Sequence, residues 1–481
     1  MTPLTHNGAP RNRGAWWAAV QDSARRLAPL AWPVLVGQVA VLAFATVDTI
    51  LVARFAAADL AALAVGGAAY ITVFIGLMGV VVAIGPIAGQ MFGAKQLVQA
   101  GRQVHQAVWV ALGLSLLGSA LLLFPAPFLA LAQASPDVAE KVRGYLFALA
   151  FSLPASLLFS VYRGFNTAVS RPKAVMALQV AGLALKVPLS VAFVWGVPAL
   201  GVPSMGVVGC GLATAIVMWA QMLIAWQVMR RDAFYKPFQI MGRGLDAPDR
   251  KAILAQLRLG IPMGVSIMVE VTGFAFMAFF ISRIGTTPVA GHQVATNLVS
   301  LMFMVPLSIG NASSTLVAQR IGAADPQDAR RLAWHSLGIG LALAAVMGSA
   351  VLLGQRFVLG LYTSNPAVVA AAVPLIAWLV VFHIADAAQT IAAFVLRAYR
   401  IATLPVFIYV AALWGVGLGG GYVLAFNVGG QVPAALQGAP GYWFASTVGL
   451  ALAGAALIGL MGWVLRATQP AGPAAGATRG A

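Results

Sequence analysis

The chain has 481 residues, of which 61% are hydrophobic and only 9% are charged, with a net charge of +17. A soluble chain of this length would divide into domains with charged surfaces, and about 25% charged residues would be expected. The composition therefore excludes a water-soluble protein, and a single cysteine, Cys210, excludes a disulfide framework and a cysteine-rich metal centre.

Twelve predominantly apolar stretches follow one another along the chain, and each is long enough to cross a bilayer as a helix. They lie at 28–53, 60–84, 104–124, 144–162, 174–196, 205–229, 257–281, 288–310, 332–354, 371–396, 403–426 and 442–465. None shows the alternation of a barrel strand, and a helix satisfies its own backbone hydrogen bonds in lipid. The predicted fold class is an all-α integral membrane protein.

An internal repeat divides this series of helices into two halves. One constant offset, without gaps, aligns five pairs of identical residues: Pro33 with Pro262, Arg54 with Arg283, Gln90 with Gln319, Gly93 with Gly322, and Arg102 with Arg331. The repeat predicts two homologous six-helix lobes, the N-lobe at 28–229 and the C-lobe at 257–466, with the substrate site at their interface. A segment at 1–27 precedes them, a linker at 230–256 joins them, and a tail at 467–481 is expected to be disordered.

The positive charge is distributed unevenly between the connecting segments. Most of the 29 lysine and arginine residues fall on one side of the membrane if the amino terminus is cytoplasmic. This asymmetry follows the positive-inside rule and predicts that both termini and the linker are cytoplasmic. It also accounts for the basic composition, so the expected partner is the lipid bilayer and no nucleic acid partner is expected.

Three acidic residues, Asp48, Glu270 and Asp386, lie inside predicted spans, where a central charge costs about 2.5 to 3.5 kcal/mol. Glu270 and Asp386 lie near the middle of their helices, and we interpret them as functional; an interhelical hydrogen bond is the alternative. Asp48 lies near the outer end of its helix, so a functional role and an interfacial role both remain open.

Polar neighbours accompany the C-lobe acids. Spacings of three and four residues place His383, Gln389 and Thr390 on the helical face of Asp386. A low dielectric favours the neutral form of a carboxyl group, and two adjacent acids favour sharing a proton, so the pair of Glu270 and Asp386 could hold a proton or a monovalent cation. A proton or cation bound to this pair would weaken the binding of a cationic ligand, and exchange requires this coupling between the two. His383 could modify this coupling or could be a packing residue.

Five short runs in the two halves are distinctive in combination. They are Val47-Asp48-Thr49, Glu270-Val271-Thr272-Gly273-Phe274, Gly291-His292-Gln293-Val294-Ala295, Val305-Pro306-Leu307-Ser308-Ile309-Gly310 and Asp386-Ala387-Ala388-Gln389. Together they resemble NorM-type members of the multidrug and toxic compound extrusion (MATE) family, and the likeness extends over nearly all twelve spans.

The resemblance implies two lobes around a central cleft in a bacterial inner (plasma) membrane, and the expected state is a monomer without a cofactor. It implies multidrug efflux, in which amphipathic organic cations such as drugs and dyes are exchanged for H⁺ or Na⁺ by alternating access. It also implies Glu270 and Asp386 as the coupling site, where Na⁺ could bind, and Asp48 as the functional acid of the N-lobe. Phe274 and Gln293 would lie near bound drug.

Two departures from the family pattern bear on the coupling ion. Family members usually carry two asparagines near the N-lobe acid, whereas Lys186 and Ser190 stand there in this chain. If Lys186 approaches Asp48, its ammonium would fill the space of a cation; extension of Lys186 to an interface is the alternative. A tyrosine commonly precedes the C-lobe acid by four residues, and Phe382 offers no oxygen. These differences favour H⁺ over Na⁺, because hard cations need several oxygen ligands.

Two other functions compete with drug export. A lipid-linked oligosaccharide flippase of related architecture would need several cationic residues in its cavity to hold pyrophosphate, and only Lys186 is expected to be available. An integral-membrane transferase would need clustered catalytic residues, but His292, His335 and His383 are scattered along the chain. Since the sequence carries no phosphate loop, zinc-spaced cluster or nucleophile elbow, the chain is not expected to be an enzyme.

Overall fold

The computed structural model describes residues 13–133, 135–242 and 244–468, and these are almost entirely helical. Twelve helices in this part of the chain are long and apolar enough to cross a membrane, as the sequence predicts. They are α1 (Arg13–Ala53), α2 (Ala57–Gly93), α3 (Leu97–Leu123), α4 (Pro136–Ala168), α5 (Pro172–Trp195), α6 (Val207–Arg231), α7 (Arg250–Ser282), α8 (Thr286–Gly322), α9 (Pro326–Leu353), α10 (Leu379–Ala398), α11 (Thr403–Ala425) and α12 (Ala439–Ala467).

Several helices extend beyond the apolar stretches that predict them. Helix α1 begins at Arg13 rather than at residue 28, and α8 continues to Gly322 rather than ending at residue 310. Hydropathy marks only the apolar part of a helix, whereas a helix can leave the bilayer and continue in water. The predicted disordered tail lies, from residue 469 onward, outside the described residues.

Three of the twelve apolar stretches do not form a single continuous α-helix. Helix α2 is interrupted after Val81 and resumes at Ile84. The tenth apolar stretch is divided into a short helix, Pro366–Ile376, and α10. Helix α11 contains a glycine-rich π-helical segment, Val410–Gly420. Such irregular backbone within a membrane is tolerated where other helices or a cavity surround it.

The two lobes have equivalent internal packing. In the N-lobe, α4 packs against α2, α3 and α6, and in the C-lobe α10 packs against α8, α9 and α12. These fourth helices are the two most buried of the twelve spans. A short helix also follows the third helix of each lobe, at Ala126–Ala132 and at Gln355–Tyr362. The fold therefore contains the duplication that the sequence predicts.

The lobes meet through two equivalent pairs of helices, in which the first helix of each lobe packs against the second helix of the other lobe. Helix α1 packs against α8, and its counterpart α7 packs against α2. Glycines allow the backbones of α2 and α7 to touch, since a Cβ added to Gly79 would lie 2.4 Å from the Cα of Gly264. The seam between the lobes is thus closely packed along α2 and α7.

Equivalent glutamines also join the lobes at the end of the bundle where the linker runs, which we call the linker end. The side-chain amide of Gln90 donates to the carbonyl of Ala398, the last residue of α10, at 2.7 Å. The amide of Gln319 donates to the carbonyl of Ala168, the last residue of α4, also at 2.7 Å. Each lobe therefore bonds the end of the other lobe's fourth helix.

The linker between α6 and α7 spans residues 232–249, less than the predicted 230–256, and it is attached to the N-lobe. The guanidinium of Arg171 lies 2.5 Å from the carboxylate of Asp232, and Nε2 of His105 lies 2.7 Å from the carbonyl oxygen of Ile240. The pKa of Asp232 lies below its usual range because the backbone N–H of Phe234 donates to its carboxylate and the nearby Arg171 stabilises the charge.

Candidate functional site

A cavity of about 610 Å³ lies between the two lobes and is lined by residues of both. Most of the lining side chains are apolar, and α1, α2, α4, α5, α7, α8, α10 and α11 all contribute. Its charged groups are the carboxyl groups of Glu270 and Asp386 and the guanidinium groups of Arg163 and Arg397. An apolar wall with a few charged groups suits an amphipathic ligand.

The two C-lobe acids come together through one amide. Nε2 of Gln389 lies 3.2 Å from Oε1 of Glu270 on α7 and 3.0 Å from Oδ1 of Asp386 on α10. The same nitrogen lies 3.0 Å from Oγ1 of Thr390, and the amide oxygen of Gln389 accepts a hydrogen bond from the hydroxyl of Tyr409 on α11. Glu270 and Asp386 thus form a bridged carboxyl pair in the cavity wall.

Helical spacing explains why these side chains share one surface. Gln389 and Thr390 follow Asp386 by three and four residues, about one turn of α10, and all three line the cavity. Phe274 follows Glu270 by one turn on α7 and also lines the cavity. Its ring meets the ring of Phe382 edge to face, with centroids 6.1 Å apart. Phe274 therefore offers an aromatic surface beside the carboxyl pair.

Two residues that the sequence associates with this site do not line the cavity. His383 is fully buried within the C-lobe, and neither ring nitrogen has a hydrogen-bond partner in the described part of the chain. Gln293 is exposed on α8 and lies outside the cavity lining. A spacing of three residues places His383 on the same side of α10 as Asp386, but neighbouring helices enclose it.

The N-lobe acid is enclosed in a separate polar cluster. Nζ of Lys186 lies 2.8 Å and 2.9 Å from the two carboxylate oxygens of Asp48. It also donates to Oγ1 of Thr214 at 2.7 Å and to the carbonyl of Cys210 at 3.2 Å. Ser190 adds a longer contact of 3.3 Å to Asp48. Of the two possibilities for Lys186, the structure shows the approach to Asp48 and not extension to an interface.

This cluster has little access to water or to the cavity. Lys186 is 0% exposed and Asp48 is 6% exposed, and neither lines the cavity. The ammonium sits among four oxygen atoms, which is the environment that a bound monovalent cation would need. Asp48 is thus enclosed by protein, because its helix packs this face against α5 and α6.

Two arginines of the cavity, Arg163 and Arg397, directly follow the apolar stretches at 144–162 and 371–396 and were not predicted to line a site. Nη2 of Arg163 lies 2.9 Å from Sδ of Met78, and the guanidinium of Arg397 lies 4.5 Å from the ring centroid of Phe394. The expectation that only Lys186 could supply a cation to the cavity is therefore wrong. Hydropathy locates the ends of the apolar stretches, but the cavity extends past those ends, into polar turns of α4 and α10.

Tyr409 was also missed, although it bonds to the bridging amide of the carboxyl pair. It lies on α11, and nothing in its local sequence distinguishes it from a packing residue. Among the described residues, no group of three or more His, Cys, Asp or Glu side chains could hold a metal ion. The three histidines considered for a transferase remain apart, since His292 contacts Trp443 and His335 contacts Ser23.

Comparisons with known sequences agree with this architecture. The MatE family model matches residues 33–192 and again residues 262–423. The probable multidrug resistance protein NorM of Aromatoleum aromaticum is 39% identical over 443 residues, which cover 92% of this chain and 94% of that protein. The multidrug resistance protein PmpM of Pseudomonas aeruginosa is 33% identical over 442 residues, which cover 92% of this chain and 91% of that protein.

Solved structures share the same fold. The eukaryotic MATE transporter AtDTX14 matches with a TM-score of 0.81 at 20% identity, covering 94% of this chain and 97% of that chain. The bent form of the Vibrio cholerae MATE transporter VcmN matches with a TM-score of 0.80 at 18% identity, covering 94% and 98%. The two matches of the family model fall on the two lobes, which confirms the internal repeat.

Proposed function

Because this chain belongs to the MatE family, we propose that it is a secondary active multidrug efflux transporter that exchanges amphipathic organic cations for protons. The observation that carries the proposal is the carboxyl pair of Glu270 and Asp386 in the wall of a large, mostly apolar cavity between two six-helix lobes. The names of the relatives from Aromatoleum aromaticum and Pseudomonas aeruginosa support multidrug transport.

The cavity has the size and chemistry for such substrates. Pockets for drug-sized molecules commonly measure about 300 to 1,000 Å³, and the volume here lies within that range. Apolar side chains would cover the ring system of the drug, and Phe274 would stack against it. An ionised Glu270 or Asp386 would attract its cationic group.

The surroundings of the carboxyl pair favour a proton over Na⁺ as the coupling ion. The amide nitrogen of Gln389 lies between the two carboxyl groups, where a metal ion would need oxygen ligands. The amide oxygen of Gln389 is already bonded to Tyr409, and the guanidinium of Arg397 adds positive charge to the same cavity. A proton needs only one carboxylate oxygen, so it can bind without rearranging this network.

Exchange follows from competition for the carboxyl pair. When the pair is ionised, the cavity holds a cationic drug more tightly. When Glu270 or Asp386 takes up a proton from outside, the negative charge falls and the drug is released. Alternating access requires that the lobes rock between two arrangements, of which the structure has the linker end closed by Gln90 and Gln319.

The N-lobe takes no part in ion exchange under this proposal. The ammonium of Lys186 lies 2.8 Å from Asp48, and because it is covalently part of the chain it cannot be exchanged as a free ion would be. Coupling would then rest on the C-lobe alone. The positive-inside distribution supports a cytoplasmic location for the linker and both termini, and we propose that the protein lies in a bacterial inner membrane. A monomer suffices, since one chain supplies both walls of the cavity.

The direct test uses purified protein in liposomes with an imposed pH gradient. We expect Glu270→Gln and Asp386→Asn to abolish ethidium transport while the protein still folds and inserts, because each removes a group that binds the proton and the drug. Glu140→Gln is the matched control, since Glu140 is an exposed acid outside the cavity. Undiminished transport by either C-lobe variant would overturn the assignment of the coupling site. Drug movement driven by a Na⁺ gradient at clamped pH would overturn the choice of ion.

One observation favours the second candidate, a lipid-linked oligosaccharide flippase. Arg163 and Arg397 supply two cationic groups to the cavity, and a pyrophosphate needs such groups. However, Glu270 and Asp386 lie in the same cavity and would repel a pyrophosphate. Drug export therefore accounts for more of the charged groups than the flippase does.

A further inference from the structure

We propose that a second cavity, within the N-lobe at the linker end, binds one anionic phospholipid. An acyl chain would fill the cavity, and the phosphate of the headgroup would lie at Arg230. This cavity is separate from the cavity between the lobes and shares no lining residue with it. The proposal requires only that the chain crosses a membrane, so it does not depend on drug export.

The second cavity has a volume of about 580 Å³ and lies among α3, α4, α6 and the linker. Apolar side chains form most of its wall, among them Val108 on α3, Phe159 on α4 and Met222 on α6. The linker adds Ile240 and Met241 on another side. Because an apolar cavity offers water few hydrogen bonds and readily takes up hydrocarbon, this wall suits an acyl chain.

The mouth of the second cavity is bordered by exposed residues of α6 and the linker. Trp226 and Leu245 both line the cavity and are 45% and 42% exposed. Leu223 and Ile224, which lie beside Trp226 on α6, are also exposed. In a chain with twelve helices that can cross a membrane, such an apolar surface faces lipid. Tryptophan is enriched at the level of the headgroups, so the mouth lies where acyl chains meet headgroups.

The mouth also carries a positive charge that can recognise an anionic headgroup. Arg230 lies exposed in the last turn of α6, and its guanidinium is 5.4 Å from the ring centroid of Trp226. No carboxylate lies within 4.0 Å of this guanidinium in the described part of the chain. Asp232, two residues further on, is paired with Arg171. Arg230 is therefore available to bind a phosphate group.

Side chains of α3 fix the linker as one wall of the second cavity. Nε2 of His105 lies 2.7 Å from the carbonyl oxygen of Ile240, and Nδ1 of His105 lies 3.1 Å from the carboxylate of Asp246. Trp109 donates to the carbonyl of Asp246 at 2.9 Å. The acid in this part of the linker is thus held by α3 and does not pair with Arg230. A wall that is already ordered spares the lipid part of the entropic cost of binding.

Native mass spectrometry of the purified protein in a neutral detergent tests this inference. Phosphatidylglycerol is compared with phosphatidylcholine of the same acyl chains, so that the two lipids differ only in the headgroup. We expect Arg230→Gln to weaken the binding of phosphatidylglycerol by roughly fivefold, because one arginine contributes about this much to the binding of an anionic headgroup. Binding of phosphatidylcholine should change by less than about twofold. Met222→Trp, which fills the cavity, should weaken the binding of both lipids.

Matched variants separate this site from a general attraction of positive charge. Arg231→Gln removes the neighbouring exposed arginine, which does not line the cavity, and should change neither affinity by more than about twofold. Arg230→Lys keeps the charge and should retain the preference for phosphatidylglycerol.

Four outcomes would each overturn the lipid site. They are equal affinities of the unmodified protein for the two lipids, equal losses in Arg230→Gln and Arg231→Gln, unchanged lipid binding by Met222→Trp, and displacement of the lipid by inorganic phosphate. The last outcome would identify a free anion as the ligand.

Discussion

In the N-lobe, Asp48 is paired with Lys186 at 2.8 Å and lies away from the cavity. In the C-lobe, Glu270 and Asp386 are bridged by Gln389 and line the cavity. The same duplicated framework therefore pairs one acid with a buried lysine and places two acids in the wall of the cavity. The comparison teaches that two repeats of one fold can hold their buried acids in different environments, and under the proposed function only the C-lobe acids exchange protons.

At the linker end, in contrast, the two lobes make equivalent contacts. Gln90 and Gln319 occupy equivalent positions, and each bonds the last residue of the other lobe's fourth helix at the same distance. The glutamine contacts that join the lobes at the linker end are thus alike in the two halves, whereas the surroundings of the buried acids differ. Substitutions at equivalent positions of the linker end should therefore have equal effects in the two lobes, whereas substitutions of the buried acids should have unequal effects.

The largest effect should come from breaking the pair of Asp48 and Lys186. Asp48→Asn or Lys186→Asn leaves one buried charge without its partner, which typically costs about 3 to 5 kcal/mol of folding free energy. Thermal unfolding of the purified protein measures the loss. Lys186→Asn keeps Asp48 and vacates the space of the ammonium. Na⁺ should therefore restore part of the stability of this variant, and it should not change the stability of the unmodified protein. A single variant as stable as the unmodified protein would show that the pair carries little energy.

A smaller effect should follow from adding a side chain at either of two glycines at the linker end, Gly93 and Gly322, and the two substitutions should have equal effects. A Cβ on Gly93 would lie 1.9 Å from the carbonyl oxygen of Gln319, and one on Gly322 would lie 1.9 Å from that of Gln90. Overpacking costs about 1 to 3 kcal/mol, so Gly93→Leu and Gly322→Leu should each disfavour the closed linker end by roughly tenfold or more. Transport rates in liposomes measure the effect.

The control for these variants is Gly113→Leu, because a side chain at Gly113 would meet no atom within 4 Å. If Gly93→Leu and Gly322→Leu differed widely in their effects, the two halves of the closing contact would not be equivalent. Transport unchanged by both would show that closure at this end is not part of the cycle.

The smallest effect should come from replacing both members of the N-lobe pair. Asp48→Asn combined with Lys186→Met removes both charges and keeps similar volumes, and such replacements are often neutral or stabilising. We expect stability within roughly 1 kcal/mol of the unmodified protein and unchanged proton-driven transport. Loss of pH dependence in this double variant would place ion coupling in both lobes and defeat the contrast drawn between them.

Composition and periodicity were enough to predict the membrane class, the twelve helices and the duplication, because these depend on local hydropathy and on repetition along the chain. The same reasoning singled out Glu270 and Asp386, since an acid within an apolar stretch is conspicuous in any context. Helix ends were predicted less well, as α1 and α8 show, because polar turns continue a helix beyond the bilayer.

The partners of the charged groups were decided only when the helices packed. Lys186 is 138 residues from Asp48 in sequence, and either pairing with Asp48 or extension to an interface was open until α5 packed against α1. The contact of Tyr409 with Gln389 and the position of Arg163 and Arg397 in the cavity likewise depend on which helix faces meet. Hydropathy is a property of each segment alone, whereas a hydrogen bond or an ion pair requires two distant segments at one place.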